Sequence, residues 1–361
     1  MKTTKVNLKE RSYNIVVGRN IINSLGRAIK KLGLGSDAYV VTNATIKNKY
    51  GPLVNKVLSG EGLNVKFRLV ADSEKSKSLE TAYPLLKDIA VFDKKKKLFI
   101  VALGGGVIGD LSGFIASIYR RGTPYINIPT TLLAQIDSAI GGKTAVDLKE
   151  GKNLVGSFYQ PALVYSEINF LKSLDKRQLR AGLSEAIKYA VIRDPVLFAY
   201  LEKKHKSVLS ADSRALEFIV NRCSSIKAGI VSLDEKEKKG LRTILNFGHT
   251  AGHAIEAAGG YKKYNHGEAV ALGMLVAVSI SKMLGLTDEK AVRRIENLVK
   301  AAGLPEKIKA IALNDIIKAH YYDKKFSGAQ NKFVLIKGIG KTQIVRNIPL
   351  KVITDSIKER Y

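Results

Sequence analysis

His249, His253 and His266 are three of the five histidines in this chain. They crowd into Asn246-Phe247-Gly248-His249-Thr250-Ala251-Gly252-His253 and the following His266-Gly267-Glu268. Imidazoles so concentrated in a histidine-poor chain point to joint use, most directly around a metal ion. His249 and His253 stand four apart and share a helical face, with Glu256 close along it. That spacing suits two ligands, one ligand beside one acid/base group, or a capped pair with no ligand. Arg242 and Asn246 lie on the approach to the same helix, adding a cation and an amide. Glu185 and Lys188 stand three apart on one predicted helix face, where a surface ion pair is the simplest reading. His205 and His320 lack such company and read as surface or structural residues. Cys223, the single cysteine, has no disulfide partner and no activating neighbour, so it reads as a plain helix residue.

A second kind of chemistry is written in glycine. The apolar run Leu98 to Leu103 leads straight into Gly104-Gly105-Gly106-Val107-Ile108-Gly109-Asp110. Glycines at such a strand end let backbone N–H groups approach a phosphate, and a following helix offers its positive N-terminus. The dinucleotide fingerprint expects an early strand and an acidic ribose ligand about twenty residues on. Here two strands precede the motif and Arg120-Arg121-Gly122 lies downstream, so a tight structural turn and a pyrophosphate cradle both remain readings; Asp110 favours the cradle. Further on, Pro129 ends a strand, Thr130 and Thr131 suit a helix cap or phosphate oxygens, and Gly141-Gly142 delivers Lys143 from a flexible turn toward an anion. Lys152-Asn153 ends another turn after Gly151, again placing a cation and an amide where a polar ligand could sit.

The elements that must carry these residues follow from periodicity. Residues 39–42, 65–70, 98–103 and 125–128 read as buried strands, and 78–91 as a helix that must accommodate Pro84. This βαβ grammar predicts a parallel sheet covered by helices. Beyond about Asn169 the strands nearly vanish, and 177–191, 211–231, 269–283 and 288–302 carry helical periodicity. Residues 334–336 and 342–345 suggest a late hairpin. The expected fold is α/β plus α: a Rossmann-like parallel-sheet domain over 1–168, a mainly helical metal- and substrate-binding domain over 169–361, and an active site in the cleft between them.

Composition sets the outer limits. A chain of 361 residues with 45% hydrophobic content suits two globular domains. No apolar run is long enough to span a bilayer, and Met1 to Asn7 lacks a signal peptide's apolar stretch, which predicts a cytoplasmic protein with no membrane partner. A formal net charge of +28 attracts polyanions and raises nucleic-acid binding as a reading. The lysines are spread along the chain, the tightest run (Asp93 to Lys97) reads as a solvated turn, and no RNA- or DNA-binding motif is present. A small phosphorylated substrate fits the same charge, with no specific nucleic-acid partner.

Taken in order, Gly104 to Asp110, Pro129 to Gln135, Gly141 to Thr144, Lys152-Asn153, Phe158-Tyr159-Gln160-Pro161, Asn246 to Thr250 and His266 to Glu268 resemble the 3-dehydroquinate synthases. The likeness spans about residues 40 to 340. It implies a lyase of the shikimate pathway that converts 3-deoxy-D-arabino-heptulosonate 7-phosphate into 3-dehydroquinate and phosphate, using NAD and a divalent metal, usually zinc, with cobalt an alternative. The resemblance implies Glu185, His249 and His266 as metal ligands, leaving His253 to assist proton movement. It implies NAD contacts from Asn43, Asp72, Glu74, Lys77, Gly105, Gly106, Val107, Gly109, Asp110, Thr130, Thr131, Lys143, Lys152 and the stretch Phe170, Leu171, Lys172, Ser173. Substrate contacts would come from Asp137, Lys143, Asn153, Lys188, Lys227, Arg242 and Asn246, with Lys341 preferred to Lys337 as a late lysine. Arg121 resembles an arginine that reaches a neighbouring subunit, implying a homodimer. Ser157 and Ser184 stand where the family commonly has alanine, and Asp147 where it often has asparagine; none removes an implied ligand. Two rival readings are another sugar phosphate cyclase and a metal-dependent polyol dehydrogenase of the same superfold, the latter distinguished by net NADH production.

Overall fold

The structure, a computed structural model, describes residues 1–94, 97–327 and 331–361, with the side chains of all of these but 321–327. Of the basic run, Lys95 and Lys96 lie outside the described residues. The chain opens with β1 (Lys2–Val6), β2 (Tyr13–Gly18) and α1 (Leu25–Leu32). There follow β3 (Asp37–Thr42), α2 (Ala44–Ser59), β4 (Asn64–Leu69), α3 (Leu79–Phe92), β5 (Leu98–Gly104), α4 (Gly106–Ile118) and β6 (Tyr125–Pro129). A hairpin of β7 (Lys143–Leu148) and β8 (Gly151–Phe158) precedes β9 (Leu163–Glu167). Then come α5 (Lys176–Arg193), α6 (Pro195–Leu209), α7 (Ser213–Leu233), α8 (His249–Ala258), α9 (His266–Met283), α10 (Glu289–Ala301) and α11 (Leu313–Ser327). The hairpin β10 (Lys332–Gly338) and β11 (Lys341–Arg346) and the helix α12 (Leu350–Lys358) close the chain.

Two compact units result: Met1–Leu174 with Leu216–Lys236, and Asp175–Ala215 with Glu237–Tyr361. The first holds a seven-stranded sheet in the order β1-β2-β9-β6-β5-β3-β4, parallel except for the β1–β2 pair. Its central strands are apolar on both faces because helices cover both. Val40, Val101, Leu103, Ile126 and Ile128 face a core shared with Leu25, Ile29, Val54 and Leu58 of α1 and α2. Tyr39, Val41, Ile100 and Ala102 face one shared with Leu85 and Ile89 of α3 and Leu111 and Ile115 of α4. From β3 the chain moves outward to β4, then returns to place β5 on the other side of β3. Carboxyl ends of strands at such a reversal form the ligand crevice of open α/β sheets, and here they carry Asn43 and the glycine motif.

The strands expected at 39–42, 65–70, 98–103 and 125–128 are β3 to β6. The four long helices expected later are α5, α7, α9 and α10. Pro84 sits inside α3, capped by the Ser78 hydroxyl on Thr81 N. Two readings need correction. Four strands, not two, precede the glycine motif, because β1 and β2 were not legible. Lys152-Asn153 lies within β8 rather than at the end of a turn, since β8 pairs with β7 over Lys143 to Leu148.

Candidate functional site

In the first unit β5 passes into α4 through Gly105 alone. A Cβ on Gly105 would come within 3.2 Å of Thr131, and one on Gly106 within 3.2 Å of the Ser138 hydroxyl. Glycine therefore keeps the N-terminus of α4 open beside two hydroxyl-bearing residues, which is the steric requirement for an anion at a helix start. Thr131 Oγ1 accepts from Ala134 N at 3.1 Å, a cap, whereas the buried Thr130 hydroxyl has no hydrogen-bond partner. Asn43 caps α2 by accepting from Ile46 N at 2.8 Å. Phe170 and Ser173 lie on a short 3-10 turn, Ile168–Ser173, with Leu171 and Lys172. Tyr50 donates to Ser173 Oγ at 2.7 Å and stacks on Phe170. Asp72 and Glu74 are exposed, as are Lys143, at the head of β7, and Arg121.

Lys77 ties part of this unit together. Its buried ammonium donates to Asp110 Oδ2 at 2.6 Å and also to Asn153 Oδ1. Burial opposes the Lys77 charge, yet Asp110 holds its pKa above the usual value. Asp110 is raised in turn, burial outweighing the nearby ammonium. Asp137 pairs with Lys227, whose ammonium also donates to the Asp137 carbonyl at 2.9 Å. Asp137 sits in a π-helical stretch, Ala134–Ser138. Gln135 in that stretch donates to the carbonyls of Pro129 and Glu167, both at 3.0 Å, fixing the loop to the sheet.

The second unit contains the histidines. Glu185 on α5, His249 at the start of α8 and His266 at the start of α9 each bring one donor atom within 4.8 Å of the others. His266 Nε2 lies 3.3 Å and His249 Nε2 3.7 Å from Glu185 Oε1. Glycine makes this convergence possible. A Cβ on Gly273 of α9 would lie 2.0 Å from the Gly248 carbonyl, and one on Gly267 2.3 Å from Ala181 Cα on α5. Gly248 also needs its φ of +81°, so α8 can begin directly at His249. Asn265 and Glu268 cap α9 reciprocally, and Arg177 holds Glu268 with two bonds of 2.7 Å.

Contrary to the surface reading, Glu185 and Lys188 form a fully buried ion pair. Both face inward on α5, whose residues 181–192 are all buried. Burial and the Lys188 charge push the His249 pKa down to about 3, so its imidazole is neutral, the form that ligates metals. Burial opposes a charge on His266, but bonds to Glu185 and Glu256 raise its pKa to about 10. A second donor group, His253, Glu256 and His266, shares that last residue. His253 is exposed, and its ring centre lies 5.3 Å from that of His249. Arg242 is buried, with Nε 3.3 Å from Glu237 Oε1, while Asn246 ends the same 3-10 turn exposed. Lys337 and Lys341 sit on β10 and β11, both exposed. His320 is buried beside Phe333, half-buried His205 meets the Glu202 carbonyl at 3.0 Å, and Cys223 is buried on α7.

The fold that carries these groups is that of the sugar phosphate cyclases. The chain matches a solved 2-deoxy-scyllo-inosose synthase complexed with carbaglucose-6-phosphate, NAD+ and Co2+ at a TM-score of 0.90, with 27% identity and full coverage of both chains. It matches 2-epi-5-epi-valiolone synthase from Streptomyces hygroscopicus, with NAD+ and Zn2+ bound, at a TM-score of 0.89, with 28% identity over 98% of this chain and 97% of that one. Family models described as 3-dehydroquinate synthase N-terminal and C-terminal cover residues 67–181 and 182–326. The 3-dehydroquinate synthase of Caldanaerobacter subterraneus subsp. tengcongensis is 46% identical over 340 residues, 94% of this chain and 95% of that one. The chain belongs to the 3-dehydroquinate synthase family. Among the described residues no helix is long and apolar enough to cross a membrane.

Proposed function

We propose that this chain converts 3-deoxy-D-arabino-heptulosonate 7-phosphate into 3-dehydroquinate and inorganic phosphate, as a cytoplasmic carbon–oxygen lyase that uses NAD and a divalent metal. The observation that carries the reading is the convergence of Glu185, His249 and His266 in a chain 46% identical to a 3-dehydroquinate synthase over nearly its whole length.

The residues present fit both cofactors. One carboxylate and two imidazoles suit zinc or cobalt and leave coordination positions for substrate oxygens. The open helix start at Gly105 and Gly106, beside the unpartnered Thr130 hydroxyl, suits a pyrophosphate. When bound, NAD would supply a transient hydride acceptor that makes C5 a ketone and acidifies the proton beside the departing phosphate, and the cation would supply positive charge against substrate oxygens.

The remaining work falls to the chain itself. Lys188, buried against Glu185, orients that carboxylate and contacts the substrate. Lys143, Lys227 and Arg242 bind the substrate's anionic groups, and Asp137, Asn153 and Asn246 bind its hydroxyls. His253, exposed beside the donor cluster, relays a proton. Lys341 is the preferred late lysine, and Arg121 acts from the partner subunit of a homodimer. The test is purified protein with the heptulosonate phosphate, NAD and zinc, reading phosphate release and NADH absorbance together. Phosphate without net NADH supports the cyclase. Steady NADH growth points to a polyol dehydrogenase, and no turnover with metal present overturns the reading.

A further inference from the structure

Asp147 closes a ring of contacts that no role above explains. Its carboxylate Oδ1 accepts from the backbone N–H of Asn153 at 2.8 Å, across the β7–β8 hairpin. Its own backbone N–H donates to the Lys77 carbonyl at 2.7 Å, in a parallel bridge between Asp147 and Ser78. Asn153 has a φ of +58°, a left-handed conformation for a residue inside a strand, which costs free energy unless its surroundings hold it. The Asp147 carboxylate is the group that holds it. So held, Asn153 turns its side-chain oxygen onto the Lys77 ammonium, which also donates to Asp110, 2.6 Å away on the second turn of α4. One buried cation is therefore shared by the helix that begins at the glycine motif and by the hairpin that carries Asn153.

We propose that Asp147 is a positioning residue that locks Asn153 against Lys77, so that dinucleotide binding at α4 and sugar phosphate binding at Asn153 depend on one shared ammonium. The inference rests on the function proposed above for what each side binds. Lys77 acts as the joint between the two binding events, and Asp147 sets that joint from outside both. An acceptor oxygen at position 147 is what the geometry requires. The negative charge is secondary, because the bond received is a neutral backbone N–H.

Asp147→Ala removes the acceptor, whereas Asp147→Asn keeps one. Loss of one hydrogen bond of this kind corresponds to about a tenfold change in an equilibrium constant. The alanine variant should therefore raise KM for the heptulosonate phosphate about tenfold with kcat little changed. It should also weaken NAD binding, measured by equilibrium dialysis, and the asparagine variant should restore both. A role confined to folding would lower the active fraction, and so kcat, without moving KM. Unchanged KM and NAD affinity in Asp147→Ala, or no rescue by asparagine, would overturn the proposal. Asn153→Gly gives a second route, since glycine accepts the left-handed backbone and deletes only the side chain facing Lys77. On NAD affinity, Asp147→Ala combined with Asn153→Gly should be no worse than Asn153→Gly alone; additive losses would sink the idea. Dialysis needs no turnover. A wild-type protein that binds NAD but releases no phosphate would overturn the proposed reaction and leave this inference to the binding cycle.

Discussion

His266 Nε2 sits 3.3 Å from Glu185 Oε1, while its Nδ1 lies 3.4 Å from Glu256 Oε2. One imidazole thus stands between two carboxylates, one facing each ring nitrogen, and the residue is common to two donor groups. Glu185, His249 and His266 make one group, and His253, Glu256 and His266 the other. A carboxylate on the far nitrogen of a ligating histidine fixes its tautomer and orientation. Glu256 can play that part only if the cation sits on the Glu185 side.

Metal analysis separates the two groups. His249→Ala should lose bound zinc together with turnover, whereas His253→Ala should retain the metal and turn over more slowly. Glu256→Gln should keep the metal with weaker affinity, by roughly ten- to hundredfold in a chelator competition. Metal loss in His253→Ala with retention in His249→Ala would move the centre to the second group.

The buried pair on α5 predicts an asymmetry. Lys188→Met leaves the Glu185 carboxylate buried without its ammonium and should cost about 3–5 kcal/mol in the metal-free protein. The double variant Glu185→Gln with Lys188→Met removes both charges and should recover much of that loss. Urea unfolding with chelator present reads both. Equal destabilisation in the single and double variants would mean that the pair is not coupled.

Helix contact gives a steric prediction. A methyl at Gly273 meets the Gly248 carbonyl at 2.0 Å and Gly252 N at 2.6 Å, so Gly273→Ala should force α8 from α9 at about 1–3 kcal/mol or more. Zinc affinity should fall in step, since His249 and His266 ride on those two helices. Gly229 on α7 has open space where its Cβ would stand, and alanine there should be neutral or stabilising by up to about 1 kcal/mol. Equal thermal unfolding of the two variants would contradict this account.

Acid stability should report on the α9 cap. Burial opposes the Glu268 charge, but the bonds from Arg177 and the Asn265 backbone outweigh it and hold its pKa below the usual value. A carboxylate with a depressed folded pKa contributes stability that is full above its unfolded pKa of about 4.3 and lost as pH falls through the folded one. Glu268→Gln should therefore flatten the stability profile below about pH 4.3. A profile as steep as that of the wild type would place the titration elsewhere.

Much of this was legible in sequence because it is local. Strand β5 running into Gly104 to Asp110, and the body of helix α9 over 269–283, declare themselves by pattern within a few residues, although α9 begins three residues earlier at His266. What stayed hidden depends on distant partners. The spacing of Glu185 and Lys188 was visible, but their burial depends on α9 packing against α5, a close approach at Gly267 and Ala181 that periodicity does not register. Strand β1 carries only Val6 as a buried residue, so alternation gave no signal; its place comes from pairing with β2. Lys227 meets Asp137 across 90 residues of chain, and no local rule couples them.

The return of Leu216–Lys236 to the first unit has a consequence for how the protein is made. Ser224 donates to the Gln135 carbonyl, Asn7 N to Ser232 Oγ, and Lys227 to the Asp137 carbonyl. A ribosome that has released only the contiguous stretch to Leu174 has therefore not yet delivered the strand of chain that satisfies Asp137. At typical synthesis rates of about 5–20 residues per second, the sheet waits several seconds for its last helix. A fragment truncated at Leu174 would carry the glycine motif and Lys77 intact and still lack Lys227, the partner of Asp137.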